Sequence, residues 1–280
     1  MSFYAELGFV NVTASELPNA MDSRSIQRFI VDGYGPLAIS GVPEYGRLLF
    51  IHGAGAGQAS MFMRHFVARV ASQGVQVLTI DLPYMQQMNE LGRRRPPPPI
   101  KHTLVQACAW YELLLPLGPT PLWVGGKSMG GRIATMLASS ELASSELASP
   151  EVQLTSTDIV ANSPEGEALV GRIECPGVIV AGYPFHPPKQ PNKLRLAHFP
   201  GITAPMLILQ GERDPFGSVD DVAGYSLPSN VQLKWLQDGD HDLKPRRASG
   251  LKHAVLIDEA ATSAASFVRA HHKESWQAVP

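Results

Sequence analysis

Short, mostly apolar runs alternate along this chain with longer segments whose apolar residues recur at helical spacing. That alternation restricts the fold more than any other feature. Leu48 to Ile51, Val75 to Ile80, Leu122 to Val124, Val178 to Ala181, Met206 to Leu209 and Val231 to Leu236 read as strands. Between them, Phe62, Phe66, Val67 and Val70 share one helical face, as do Leu104, Ala107, Cys108, Tyr111 and Leu114, and then Met129, Ile133, Met136 and Leu137. A last helix is predicted from Ala254 to His271. Strands that are apolar throughout belong in a parallel sheet covered on both sides. The predicted fold is therefore α/β, a doubly wound, mostly parallel sheet with helices on both faces. With 280 residues, 44% apolar and 17% charged, the chain can bury such a core in one domain. In open sheets of this kind, chemistry collects at the carboxyl ends of the strands.

The domain is expected over 26–272, after an N-terminal segment, 1–25, that carries no motif and before a short tail, 273–280. A direct repeat, ASSEL at 138–142 and again at 143–147, opens a surface insertion predicted over 138–174, on the side of the sheet away from the chemistry. The run Gly92-Arg-Arg-Arg-Pro-Pro-Pro-Pro-Ile100 must be an extended loop, because tandem prolines exclude helix. Its arginines read as a solvated face.

A formal net charge of -2 gives no basic field, which argues against nucleic acid as a partner. Cys108 and Cys175 sit among apolar residues and read as small buried hydrophobes. The N-terminus lacks a basic, apolar leader, and no run reaches the roughly 18 apolar residues of a membrane span. The expectation is a soluble, cytoplasmic protein without a membrane partner.

The stretch LWVGGKSMGGRIA, Leu122 to Ala134, has two readings. Gly126-Lys127-Ser128 resembles the end of a phosphate-binding loop, but that motif requires a glycine at 121, where Pro121 stands. The same residues fit G-x-S-x-G, a sharp turn from strand to helix that exposes a nucleophilic serine. Here a strand runs straight in, a helix leaves near Met129, and Gly126 and Gly130 provide clearance where the chain nearly meets itself. A serine nucleophile needs a base, and the base needs an orienting acid. On this architecture they follow in the order serine, acid, histidine. MLILQGERDPFG ends a strand with Asp214 in its loop, and the strand after it is followed by QDGDHDL, with His241. Both lie at the edge that carries Ser128.

Rival residues read differently. Glu212 points elsewhere in its turn, Asp220 and Asp221 belong to a following helical segment, and His253 precedes a helix. Asp238, Asp240 and Asp242 mimic a calcium loop, yet Leu243 and Ser249 stand where glycine and glutamate are required, so no metal is expected. The oxyanion of an acyl intermediate needs two backbone amides. Met129 supplies one, and LLFIHGAGAG supplies the other through Ala54, with the glycines, Gly55 among them, presenting backbone to the substrate. Strand, G-x-G, helix and a strand ending at Asp81 leave a dinucleotide site as an alternative, although Gln58 replaces its third glycine. His52 reads as structural.

With HGAGAG, GGKSMGGR, GYPFHPP, QGERDPFG and DGDHDL, the chain resembles the α/β-hydrolase superfamily, closest to small members related to dienelactone hydrolases. The likeness runs from about Leu48 to the final helix. It implies a serine hydrolase using Ser128, Asp214 and His241 on a small-molecule acyl substrate, a carboxylic ester with thioester or amide as alternatives, and with no cofactor. Serine replaces the cysteine of dienelactone hydrolases, so their substrate does not carry over. Some relatives in this branch look like scaffolding subunits, so an interaction protein without turnover is the second reading. The short, proline-rich GYPFHPPKQPNKLRLAHFPGI predicts a minimal cap, with Tyr84, Tyr183, Phe185 and His186 as candidate pocket residues. Lys127 is left between contacting substrate and pointing to a neighbouring helix.

Overall fold

The structure, a computed structural model, describes residues 2–18, 26–140 and 173–275. Its described strands form one sheet in the order β1-β2-β3-β5-β4-β6-β7-β8-β9. They are β1 (Val10–Val12), β2 (Gln27–Val31), β3 (Gly35–Ser40), β4 (Gly46–Ile51), β5 (Val75–Ile80), β6 (Leu122–Lys127), β7 (Val178–Ala181), β8 (Met206–Gly211) and β9 (Val231–Leu236). From β5 to β9 every neighbour is parallel. β3 runs antiparallel to both β2 and β5. The doubly wound, mostly parallel sheet expected from the sequence is the one observed.

The helices among the described residues are α1 (Phe3–Glu6), α2 (Met61–Ala71), α3 (Pro83–Leu91), α4 (Ile100–Leu114), α5 (Met129–Leu137), α6 (Val219–Val222) and α7 (His253–Ser275). β4 shows why both faces need cover. All of its residues are buried, and successive side chains enter opposite cores. Leu48 and Phe50 join Phe66 of α2 and Ala261 of α7 on one face. Leu49 and Ile51 join Leu104 of α4 and Ile133 of α5 on the other. Removing a side chain such as Phe50 from water stabilises the fold by about 1.5–3 kcal/mol. Below the sheet, buried Arg47 donates to the carbonyls of Leu114, Leu115, Gly118 and Thr120, satisfying the end of α4.

The segment without a recognised motif contributes β1, which pairs parallel to β2, while the Tyr4 hydroxyl donates to Asp81 at 2.9 Å. The hairpin β2–β3 was also not read from the sequence. Its signal is Asp32-Gly33 between two apolar runs, with Gly33 at φ 74°. α3 was missed as well, despite Pro83 in its first turn and Gly92 closing it at φ 61°. Residues 93–99 form the extended loop predicted, with Arg93, Arg94 and Arg95 exposed. Most of the 138–174 insertion lies outside the described residues, as do 276–280. Among the described residues, no helix is long and apolar enough to cross a membrane.

Candidate active site

β6 delivers Ser128 in a backbone conformation that side chains normally avoid, φ 54° and ψ −113°. The turn survives because it is held on both sides. Ser128 N–H donates to the Ala181 carbonyl of β7 at 2.9 Å, and the first bond of α5 runs from Arg132 N–H to the Ser128 carbonyl at 3.0 Å. Gly130 is obligatory here, since a Cβ on it would strike the Ile51 and His52 carbonyls of β4 and its loop. The sharp strand-to-helix elbow anticipated from G-x-S-x-G is present.

Asp214 follows β8 and His241 follows β9, and the structure brings both to Ser128. His241 Nε2 lies 2.7 Å from Ser128 Oγ, and Nδ1 lies 2.8 Å from Asp214 Oδ2. The carboxylate can only accept, so Nδ1 carries the proton and Nε2 is free to accept the serine hydroxyl. Asp214 is fully buried, and its charge is met by donors: Phe216 N–H to Oδ1 at 2.8 Å and Gln210 Nε2 to Oδ2 at 2.9 Å. Gln210 is held in turn by the Tyr183 N–H and by the Tyr183 and Gly217 carbonyls. Its role was not visible from sequence, because a glutamine at the end of a buried strand has no spacing signature. Phe216 packs on the imidazole with ring centres 4.3 Å apart. Ser128 remains partly exposed, as does the His241 side chain at 19%.

The loop after β4 passes over the serine; a Cβ on Gly53 would stand 3.7 Å from Ser128 Cβ. Its carbonyls are turned inward. His52 Nδ1 donates to Gly53 O at 2.7 Å, and the Tyr84 hydroxyl donates to Ala54 O at 3.2 Å and Gly53 O at 3.4 Å. His52 Nε2 accepts from Leu82 N–H at 3.0 Å, and burial lowers its pKa, which keeps the ring neutral. In a trans peptide the N–H points opposite to the carbonyl. With Gly53 O bonded to His52 and Tyr84, the Ala54 N–H is directed away from those two buried side chains. Met129 begins α5, so its N–H precedes the first helical bond and has no helical acceptor. Gly55 is exposed with open space around it.

All four candidate pocket residues are buried, Tyr183 and Phe185 in the core, with the Tyr183 hydroxyl on the Arg195 carbonyl at 2.7 Å. Tyr84 is buried and holds the loop from behind instead of facing a substrate. His186 is also buried, with Nδ1 on the Pro187 carbonyl at 2.9 Å and Nε2 3.7 Å from Asp221, outside the Ser128–His241–Asp214 chain. The rivals have structural tasks. Glu212 accepts from Asp238 N–H, Asp221 caps α6 through Ser218, and His253 Nε2 lies 2.8 Å from the Asp242 carbonyl. The dinucleotide alternative is overturned by Asp81, which is fully buried and bonded to Tyr4, Asn89 and the Gln58 N–H, leaving nothing to receive a ribose.

The three acids flanking His241 tie its loop down. Asp238, at φ 53°, accepts from Arg246 N–H and Nε, each at 2.7 Å, and meets Arg213 Nε at 2.9 Å. Asp240 accepts from the Asp242 and Lys244 amides, and Asp242 pairs with Lys127 at 3.3 Å. The Arg246 side chain, with Arg213 alongside, holds the Asp238 carboxyl down to about 2. Because its folded pKa lies below the unfolded value, its contribution is complete above the usual carboxylate range and fades as pH falls towards 2. Thermal scans at pH 5 and pH 3 will show the wild-type Tm dropping more than that of Asp238→Asn, which starts lower.

A family model described as an alpha/beta hydrolase domain matches residues 44–269. A comparison with curated proteins finds no match. Solved structures share the fold at low identity. A dienelactone hydrolase from Anabaena variabilis is 16% identical with a TM-score of 0.54, covering 86% of this chain and 96% of that one. Est1E from Butyrivibrio proteoclasticus is 15% identical with a TM-score of 0.55, covering 88% and 99%. An esterase from Pyrococcus furiosus is 14% identical with a TM-score of 0.52, covering 88% and 90%. The sheet order, the serine elbow at the end of β6 and the family match over most of its length agree: this chain belongs to the alpha/beta-hydrolase family.

Proposed function

We propose that the protein is a serine hydrolase that cleaves a carboxylic ester of a small molecule through an acyl-enzyme intermediate. The observation that carries the reading is the continuous chain Ser128 Oγ, His241 Nε2, His241 Nδ1, Asp214 Oδ2, with links of 2.7 and 2.8 Å. Ser128 attacks the acyl carbonyl while His241 Nε2 takes its proton, and Asp214 holds the imidazole in the tautomer that can do so. The charge that develops on the carbonyl oxygen meets the amides of Ala54 and Met129, a stabilisation of roughly 3 kcal/mol per donor in comparable sites. His241 then returns its proton to the leaving alkoxide. It next draws a proton from water as the water oxygen attacks the acyl carbonyl, and gives that proton to Ser128 Oγ as the carbonyl–serine bond breaks and the acid leaves. The esterase and dienelactone hydrolase names borne by proteins of the same fold point to the same class of substrate.

A panel of p-nitrophenyl esters of graded acyl length tests the reading. The expected result is turnover of members of the panel, with a burst of nitrophenol equal to the enzyme concentration. Folded protein that hydrolyses no member of the panel above background would contradict it.

A further inference from the structure

The residue beside the nucleophile has a task that the mechanism above does not use. Lys127 ends β6, four residues after Trp123, and its side chain enters the same apolar face, 5.5 Å from the centre of the Phe62 ring of α2. Only 7% of the side chain is exposed. Burying an ammonium among apolar groups costs free energy that a methionine there would not incur. Burial indeed lowers the Lys127 pKa, against the pull of Asp242. What the ammonium obtains in return is specific. Nζ donates to the backbone carbonyl of His241 at 2.7 Å and pairs with Asp242 Oδ1 at 3.3 Å. Room for that bond comes from Gly182 at the end of β7, in the left-handed region at φ 66°. A Cβ there would stand 2.9 Å from the His241 carbonyl oxygen and 3.2 Å from Nζ.

We propose that Lys127 is a positioning residue: its buried ammonium anchors the main chain of His241 and thereby aims the imidazole at Ser128. β6 thus supplies both the nucleophile and, one residue earlier, the strut that places the base. The charged and titratable groups around Nζ are Asp242, Asp240 and His241 on the loop after β9 and Asp214 after β8; Phe62 on α2 adds none. This inference rests on the hydrolase reading for its kinetic test, and on geometry alone for its spectroscopic one.

The experiment compares Lys127→Met and Asp242→Asn with the wild type. For Lys127→Met, kcat on a good ester is expected to fall roughly 10- to 100-fold, the loss that a misplaced catalytic group brings, with KM within about threefold. Asp242→Asn leaves the carbonyl bond in place and is expected to lose no more than about threefold, the scale of a partly exposed ion pair. Independently of turnover, a sharp downfield resonance is expected for His241 Nδ1–H in the wild type, and it is expected to broaden or vanish in Lys127→Met. If Lys127→Met does not fold, Lys127→Gln takes its place, with the same losses expected at reduced size. Unchanged kcat with a sharp Nδ1–H signal would overturn the proposal. So would a rise in KM alone, which would make Lys127 a substrate contact. A wild type without esterase activity would sink the hydrolase reading, while the proton resonance would still decide the role of Lys127.

Discussion

Ser128→Ala is expected to lower kcat for ester hydrolysis by on the order of 10⁶-fold, the loss seen when a serine nucleophile is removed from an assembled triad. The fold should remain, because the elbow is held by backbone bonds to Ala181 and Arg132 and by the close passage of Gly130 under β4. A second substitution separates chemistry from stability. Ser128 occupies φ 54°, ψ −113°, a conformation that costs a side-chain-bearing residue about 1–3 kcal/mol and costs glycine little. Ser128→Gly should therefore raise Tm while abolishing turnover. Calorimetry on the two variants checks both halves. A Tm below wild type for Ser128→Gly would mean that the elbow is not strained.

Asp214→Asn should cost roughly 10⁴-fold in kcat with the protein still folded. The reason lies in the donors around the carboxylate. Oδ1 faces Phe216 N–H, and Oδ2 faces Gln210 Nε2 and His241 Nδ1. An asparagine has one amide NH₂ group, and either orientation sets it against a donor. Facing Oδ2's partners, it forces His241 to carry its proton on Nε2, where it can no longer accept from Ser128. Facing Phe216, it breaks the turn that holds residue 214. A loss of less than tenfold in the pH-independent kcat would mean that His241 does not depend on this acid for its tautomer.

Much of this arrangement was readable because each part follows a local rule. The fully apolar run at Leu48–Ile51 allows no wet face, and the strand found there is parallel to both neighbours and buried throughout. Gly126 and Gly130 bracket Ser128 because a reversal from strand to helix leaves no volume for a Cβ at those places. The missed features are those without period or spacing. The β2–β3 hairpin announces itself only by Asp32-Gly33, and β1 pairs through three residues, too few for an alternation to show. Tyr84 and His186 carry no mark that separates a residue facing substrate from one holding a loop, since both uses favour an aromatic ring with a polar tip. The same holds for Gln210 and Lys127. Their partners, Asp214 and the His241 carbonyl, become neighbours only once the strands are ordered side by side.

Hydrolysis by this protein requires Ser128 to be the nucleophile. The most direct test is intact-mass measurement after exposure to a fluorophosphonate probe, with peptide mapping of any adduct. One adduct per chain is expected, located at Ser128 and absent in Ser128→Ala. A folded wild-type protein that stays unmodified at Ser128 would contradict the account and leave this fold serving as an interaction module.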